Sequence, residues 1–515
     1  MSRQENPLKR PRWTVVLAAV LATTTVAPGA SGATTQDADL AQFHHQRVEW
    51  KSCQRDPDDA DGRALDEAGV RCADIRVPLD HSRPRGRTIT VAIARSKATD
   101  TAHYAGPLMF NLGGPANPVL SAVPLARQAM GATGAKFDII GMDIRFSGRS
   151  TPIDCGWPAS WLPRSAGTGR DSFDRMVALS KDLAGRCART NADVLPYASA
   201  ANAARDMDVI RAALGAPKLS FLGYSQGSYL GAQYVQRFPQ RAGRIVLDSA
   251  IDPDQPGVTI LSHPAVAARR EAALREWAAL AARHDDLFHL GTTTEQVLST
   301  VHRVYLAAAT PLRVGPYLVD DTVIPGLIVN LLIDDSEESA LELAATVQVL
   351  VRAADTGSAE PTEALATSLA GQLTGRDSVL RSAATAVQCG DAPVSRTVET
   401  YWRTVETRRA EAPLFGPLGS NITPCAFWPN PPRERPIRIR NGVPALVVQA
   451  AGDISALLEF GQAMHRDLRG SRMITLAGAR DHGVYLFRGS SCVDAAVNAY
   501  LDTGDLPAAD LTCSE

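Results

Sequence analysis

The segment Leu219-Ser220-Phe221-Leu222-Gly223-Tyr224-Ser225-Gln226-Gly227 runs an apolar stretch straight into Gly-x-Ser-x-Gly, and the amphipathic stretch Ser228 to Phe238 follows without a break. Few folds accommodate that succession. A serine on a sharp turn between a buried strand and a helix needs glycine on both sides, because Cβ atoms there would collide with the strand and helix that meet. The turn aims Oγ above the sheet, and the helix N-terminus brings backbone N–H groups and partial positive charge to the same place. The pentapeptide alone is a weak signal; the flanking patterns, and an acid and a histidine downstream, give it weight. The chain reads as a serine hydrolase.

At 515 residues, 45% of them hydrophobic, the chain can bury one large core and carry an insertion. A net charge of −2 gives no reason to expect a nucleic-acid partner. The densest basic stretch, Arg433 to Arg440, is interrupted by Glu434 and alternates with Ile437 and Ile439, as a surface strand or the lead-in to a core strand does. Arg3, Lys9, Arg10 and Arg12 precede the apolar run Trp13 to Val26 and the small residues Ser31-Gly32-Ala33, so residues 1–33 read as a secretory signal peptide. The run is shorter than the roughly 20 residues of a spanning helix and is diluted by Thr23, Thr24 and Thr25, so no stable membrane anchor is expected. All eight cysteines lie beyond it, and an even count in an exported chain implies disulfides. Sequence neighbours are expected to pair: Cys53 with Cys72, Cys155 with Cys187, Cys389 with Cys425, and Cys492 with Cys513. No Cys-x-x-Cys spacing occurs, and neither a metal site nor a cofactor is expected.

After a polar lead from Thr34 to Gln46, read as mobile, Val70 to Arg95 alternates apolar and polar residues around Ser82 to Gly86 and predicts a hairpin. Leu108 to Leu112, Phe137 to Met142, the stretch before Ser225, Arg244 to Leu247, Ala445 to Gln449 and Met473 to Leu476 are short apolar runs of the kind that fill a parallel sheet. Helical patterns separate them, Ala200 to Leu214 stopping at Gly215 and Pro217. Between Pro253 and Arg440 the alternation gives way to long Ala/Leu-rich helical stretches. The expected organisation is therefore a core over 34–252 and 441–515, split by a helical cap over 253–440: an α/β-hydrolase fold with a mostly parallel sheet.

Acyl transfer by serine needs a base, an acid that fixes the base, and an oxyanion hole. In this fold the chain order is serine, acid, histidine. Asp453 follows the strand Ala445 to Gln449, and His482 follows Met473 to Leu476. Ser225, Asp453 and His482 are thus the expected triad, with Asp248, at the end of the strand after the serine, as the rival acid. Gly114, in Asn111-Leu112-Gly113-Gly114-Pro115, and Gln226 are the expected backbone donors to the oxyanion.

On Asn111 to Pro115, Asp143 to Ser150, the Ser225 turn, Gln388-Cys389-Gly390-Asp391, Cys425 to Pro429, Asp453, His482-Gly483 and Tyr500 to Cys513, the chain resembles the secreted tripeptidyl aminopeptidase and proline-iminopeptidase-like α/β-hydrolases. The resemblance covers nearly all of the chain beyond residue 33 and implies release of short peptides from free N-termini. Gln226 stands where that family has tyrosine, Ala116, Asn117 and Phe146 where it has glycine, and Ile454 to Leu457 where it has a Thr-Pro segment. Because a Ser-Gln-Gly turn also occurs in esterases and thioesterases, an acyl ester is the alternative substrate, and a binding protein on the same scaffold the third reading. A free N-terminus calls for a carboxylate in the cleft; Asp391 and the run Asp334 to Glu338 are the candidates.

Overall fold

In the computed structural model, which describes residues 35–514, twelve strands form. They are β1 (Arg71–Pro78), β2 (Thr88–Ser96), β3 (Gly106–Asn111), β4 (Phe137–Met142), β5 (Leu219–Tyr224), β6 (Ala242–Asp248), β7 (Leu312–Val314), β8 (Tyr317–Val319), β9 (Ser358–Ala359), β10 (Ala445–Ala450), β11 (Ser471–Ala477) and β12 (Leu511–Ser514). The segment 1–33, expected to be a signal peptide, lies outside the described residues.

Nine strands make one sheet in the order β1-β2-β4-β3-β5-β6-β10-β11-β12. Only β2 runs against its neighbours; every pair from β4 to β12 is parallel. Every residue of β5 and of β10 is buried, which explains their unbroken apolar runs: helices cover both faces of a parallel sheet. The register brings the carboxyl ends level, with Asn111 opposite Gly223, Tyr224 opposite Asp248, and Asp248 opposite Val448. Loops leaving these strands therefore start side by side at the carboxyl end of the sheet.

Residues 253–440 are mainly helical, with the small sheet β8-β7-β9 among the helices. They gather a second apolar core around Trp277, Val301, Tyr305, Leu343, Leu350 and Leu369. Side chains of Thr293, Ser336 and Thr362 cap three of the helices by accepting N–H bonds from their first turns. A second stretch joins this layer, although it lies within the expected core segment 34–252. Ser160 N–H donates to Gln372 O (2.9 Å), Ser165 N–H to Thr322 O (2.7 Å) and Ala166 N–H to Pro417 O (3.0 Å). The polar lead is also more ordered than its composition suggests: Thr35–His44 is a helix, and Phe43 at its end is buried.

The disulfides are Cys53–Cys72, Cys155–Cys187, Cys389–Cys425 and Cys492–Cys513. The last holds β12, a mostly exposed edge strand, to the helix Ser491–Thr503.

Below the sheet ends, Arg145 is fully buried and forks onto Asp206, Nε to Oδ2 at 2.7 Å and Nη2 to Oδ1 at 2.6 Å, while Nη1 donates to Leu79 O (2.9 Å). His81 reaches the same carboxylate at 2.8 Å. This ties the loop after β4 to the helix Ala200–Ala213 that precedes the Ser225 strand. Removing one partner strands a buried charge. Asp206→Ala is expected to cost about 3–5 kcal/mol of stability, read as a lower denaturant midpoint; an unchanged midpoint would show that the pair holds nothing together.

Candidate active site

Ser225 sits between β5 and the helix Gln226–Arg237 with φ 54° and ψ −124°. The flanking glycines are steric necessities: a Cβ on Gly223 would lie 2.6 Å from Gly227 O, and one on Gly227 2.6 Å from Asn111 Oδ1. A Cβ on Gly113 would come within 3.0 Å of Ser225 Cβ and 3.1 Å of Gln226 N, so the loop after β3 lies directly against the turn. Gln226 N–H opens the helix, where no carbonyl four residues earlier belongs to it. Ala116 and Phe146 adopt φ 64° and 73°, the left-handed region that favours glycine. Both are buried, and packing holds them at a cost of about 1–2 kcal/mol each.

Asp453, buried after β10, accepts Ser455 N–H (2.7 Å) and Ala456 N–H (3.0 Å) on Oδ1 and meets His482 Nδ1 at 2.9 Å on Oδ2. Asp248 spends its carboxylate elsewhere, on Val484 N–H (3.0 Å) and Tyr485 N–H (2.8 Å), while Ser249 Oγ accepts Gly483 N–H (2.7 Å). Of the two acids, Asp453 is the one hydrogen-bonded to the histidine. Burial pushes the His482 imidazole down, but the charge and hydrogen bond of Asp453, helped by the charge of Asp248, more than offset this and raise it above the ordinary histidine range. Burial pushes Asp248 up to about 7 despite its two N–H donors.

Ser225, Gln226, Gly114 and His482 line one cavity of about 600 Å³ together with residues of 161–164, 258–262, 329–333 and 381–423. A serine hydroxyl and an imidazole hydrogen-bonded to a carboxylate on one cavity are the groups that nucleophilic attack on a carbonyl requires. Asp391 does not line this cavity. It is buried behind the Gly113 loop, where Oδ1 accepts Ala200 N–H (2.7 Å), and burial raises it to about 7. The acidic run is also committed elsewhere: Asp334 accepts Ser336 N–H (2.9 Å), and Asp335 accepts Arg480 N–H (3.0 Å) and pairs with Arg488, bracing the His482 loop from outside.

Three arginines line the cavity instead: Arg164, Arg270 and Arg381. Sequence reasoning missed them. Arg270 left a signal, because it falls in the buried stripe Val266, Ala267, Ala273, Leu274 and Trp277 of the helix Pro264–Arg283, where a charge has no structural reason to be.

A parallel sheet with one reversed strand, a serine on a glycine-flanked strand–helix turn and a carboxylate–histidine pair beyond later strands define an α/β-hydrolase. Profiles described as "alpha/beta hydrolase fold" and "TAP-like protein" match residues 106–330 and 412–513. The tripeptidyl aminopeptidase of Streptomyces coelicolor is 30% identical over 461 residues, spanning 86% of this chain and 83% of that protein. The chain belongs to this tripeptidyl aminopeptidase-like family of hydrolases. Serine protease Hip1 of Mycobacterium tuberculosis is 28% identical over 91% of each chain, and carboxylesterase B of the same species 29% identical over 86% of each.

The buried acids set a pH dependence. With Asp248 and Asp391 near 7 when folded and about 3.9 when unfolded, the folded state binds the extra protons between these values. Stability from these groups is complete below about pH 4 and declines as pH rises through 7. Asp391→Asn keeps the oxygen that accepts Ala200 N–H, so it is expected to be more stable than the parent at pH 8, by at most roughly 4 kcal/mol, and no more stable at pH 4. Thermal midpoints across pH measure this; a parallel shift at all pH values would contradict it.

Proposed function

We propose that this chain is a serine peptidase that releases short peptides from free N-termini through an acyl-enzyme on Ser225. The observation that carries the reading is the 2.9 Å Asp453–His482 pair on the cavity that holds Ser225. Asp453 holds His482 with its proton on Nδ1, leaving Nε2 to take the Ser225 proton as Oγ attacks the scissile carbonyl. The oxyanion draws on the N–H groups of Gly114 and Gln226. Collapse expels the amine, which receives the proton from His482; water, deprotonated by the same imidazole, then hydrolyses the ester and restores Ser225.

We read residues 253–440 as the cap over this centre, and its cavity volume suits a few residues rather than a protein segment. Free of a carboxylate, the wall offers a substrate ammonium neutral acceptors: Gln388 Oε1, Asn421 Oδ1 and Thr423 Oγ1 are buried and lack a hydrogen-bond partner among the described residues. Four disulfides fit an oxidising compartment and so support export. The relative named a carboxylesterase, together with Gln226 in the turn, supports ester hydrolysis as the second reading.

Free and N-acetylated peptide anilides, assayed beside acyl esters, separate these readings. Free peptides are expected to be cleaved, acetylation to lower kcat/KM by about 100-fold or more through the lost ammonium contacts, and Ser225→Ala to lower kcat by on the order of 10⁴. Ester turnover without peptide cleavage would establish the esterase instead.

A further inference from the structure

The cavity wall carries charge of one sign. Its lining includes Arg164, Arg270 and Arg381 and no aspartate or glutamate. The Nε–H of each arginine is buried without a hydrogen-bond partner, and among the described residues no carboxylate lies within ion-pairing distance of any of the three. Arg164 keeps a single side-chain bond, Nη2 to Gln372 O at 3.2 Å. Burial pushes all three guanidinium groups down, Arg270 to about 10. Each guanidinium has a carboxylate near enough for its charge to be felt but not to pair with it, Asp320 for Arg164, Asp453 for Arg270 and Asp377 for Arg381. A guanidinium drawn partly out of water without a paired anion is costly.

Arg164 and Arg381 belong to one wall. Trp161 Nε1–H donates to Thr385 Oγ1 (2.8 Å) and Trp157 N–H to Ser378 Oγ (2.8 Å), laying the segment that carries Arg164 along the helix Ser378–Asp391 that carries Arg381. On that helix Arg381, Thr385 and Gln388 recur at i, i+4 and i+7, a single face. Arg270 stands nearer the chemistry, its charge felt by both Asp453 and His482.

We propose that the acyl part of the substrate carries a carboxylate, held by Arg164 and Arg381 against this wall. The carboxylate matches the forked donors of a guanidinium. It also adds a negative charge to a lining that otherwise presents three arginines and no carboxylate to an incoming ammonium. The inference rests on the peptidase reading for which side of the scissile bond occupies the cavity. Two sources present the same group, an acidic side chain and a dicarboxylic acyl cap.

The test pairs each carboxylate with its neutral counterpart. Free N-terminal tripeptide anilides with Glu or Gln at each position in turn form one arm, and succinyl against acetyl peptide anilides the other. At least one pair is expected to favour the carboxylate by about 10-fold or more in kcat/KM, and the arm in which it does so identifies the source. In Arg381→Met and Arg164→Met the ratio is expected to fall towards one; being measured on one preparation, it does not depend on how much protein is folded. The same pairs titrated into Ser225→Ala protein by calorimetry give a binding ratio that needs no turnover. Failure of the peptidase reading therefore shows as absent turnover with the binding preference intact. Equal or reversed ratios in both arms, or a preference untouched by either arginine substitution, would overturn the proposal.

Discussion

The serine turn and the histidine loop of the candidate site both depend on how Asp248 is bonded. Its carbonyl accepts Ser225 N–H at 3.0 Å, and its carboxylate accepts the N–H groups of Val484 and Tyr485. One residue at the end of β6 thus fixes the serine turn on one side and the histidine loop on the other, across more than two hundred residues of sequence. Ser249 extends the clamp by accepting Gly483 N–H, and Asp248 itself is registered against Tyr224 and Val448. Fixed backbone thus holds the Ser225 turn and the His482 loop to the same end of the sheet.

That arrangement separates two jobs for buried carboxylates. Asp453 is bonded to His482 and raises the basicity of the imidazole; Asp248 is spent on backbone and contributes only its charge. The rival assignments in the sequence reflect a real proximity, since both acids act electrostatically on the same histidine. Hydrogen bonding, which depends on loop geometry and not on position along the chain, distinguishes them.

The sheet was legible because each inner strand is buried on both faces and so reads as an unbroken apolar run, as in β3, β5, β6 and β10. The serine turn was legible for a steric reason that the close approaches at Gly223 and Gly227 make explicit. β12 was not: it is short and largely exposed, and pairing with β11 together with a disulfide, rather than its own pattern, makes it a strand. The strands β7 to β9 escaped because two or three residues are too short to show an alternating pattern. The expected role of Asp391 in meeting an ammonium does not fit its position, because a buried helix-capping carboxylate and a substrate-facing one look alike in sequence. Arg164 and Arg381 come from segments far apart in the chain, so only the fold reveals that they share a wall.

The division of labour between the two acids is tested most directly by comparing Asp453→Asn with Asp248→Asn, each measured for turnover per folded molecule and for thermal midpoint. Asp453→Asn is expected to keep its fold and to lose kcat by on the order of 10⁴, because the imidazole is left in the wrong tautomer. Asp248→Asn is expected to lose stability, since an amide N–H replaces an acceptor opposite a backbone N–H, while its folded fraction stays far more active than Asp453→Asn. Full turnover in Asp453→Asn beside an inactive but folded Asp248→Asn would contradict the account.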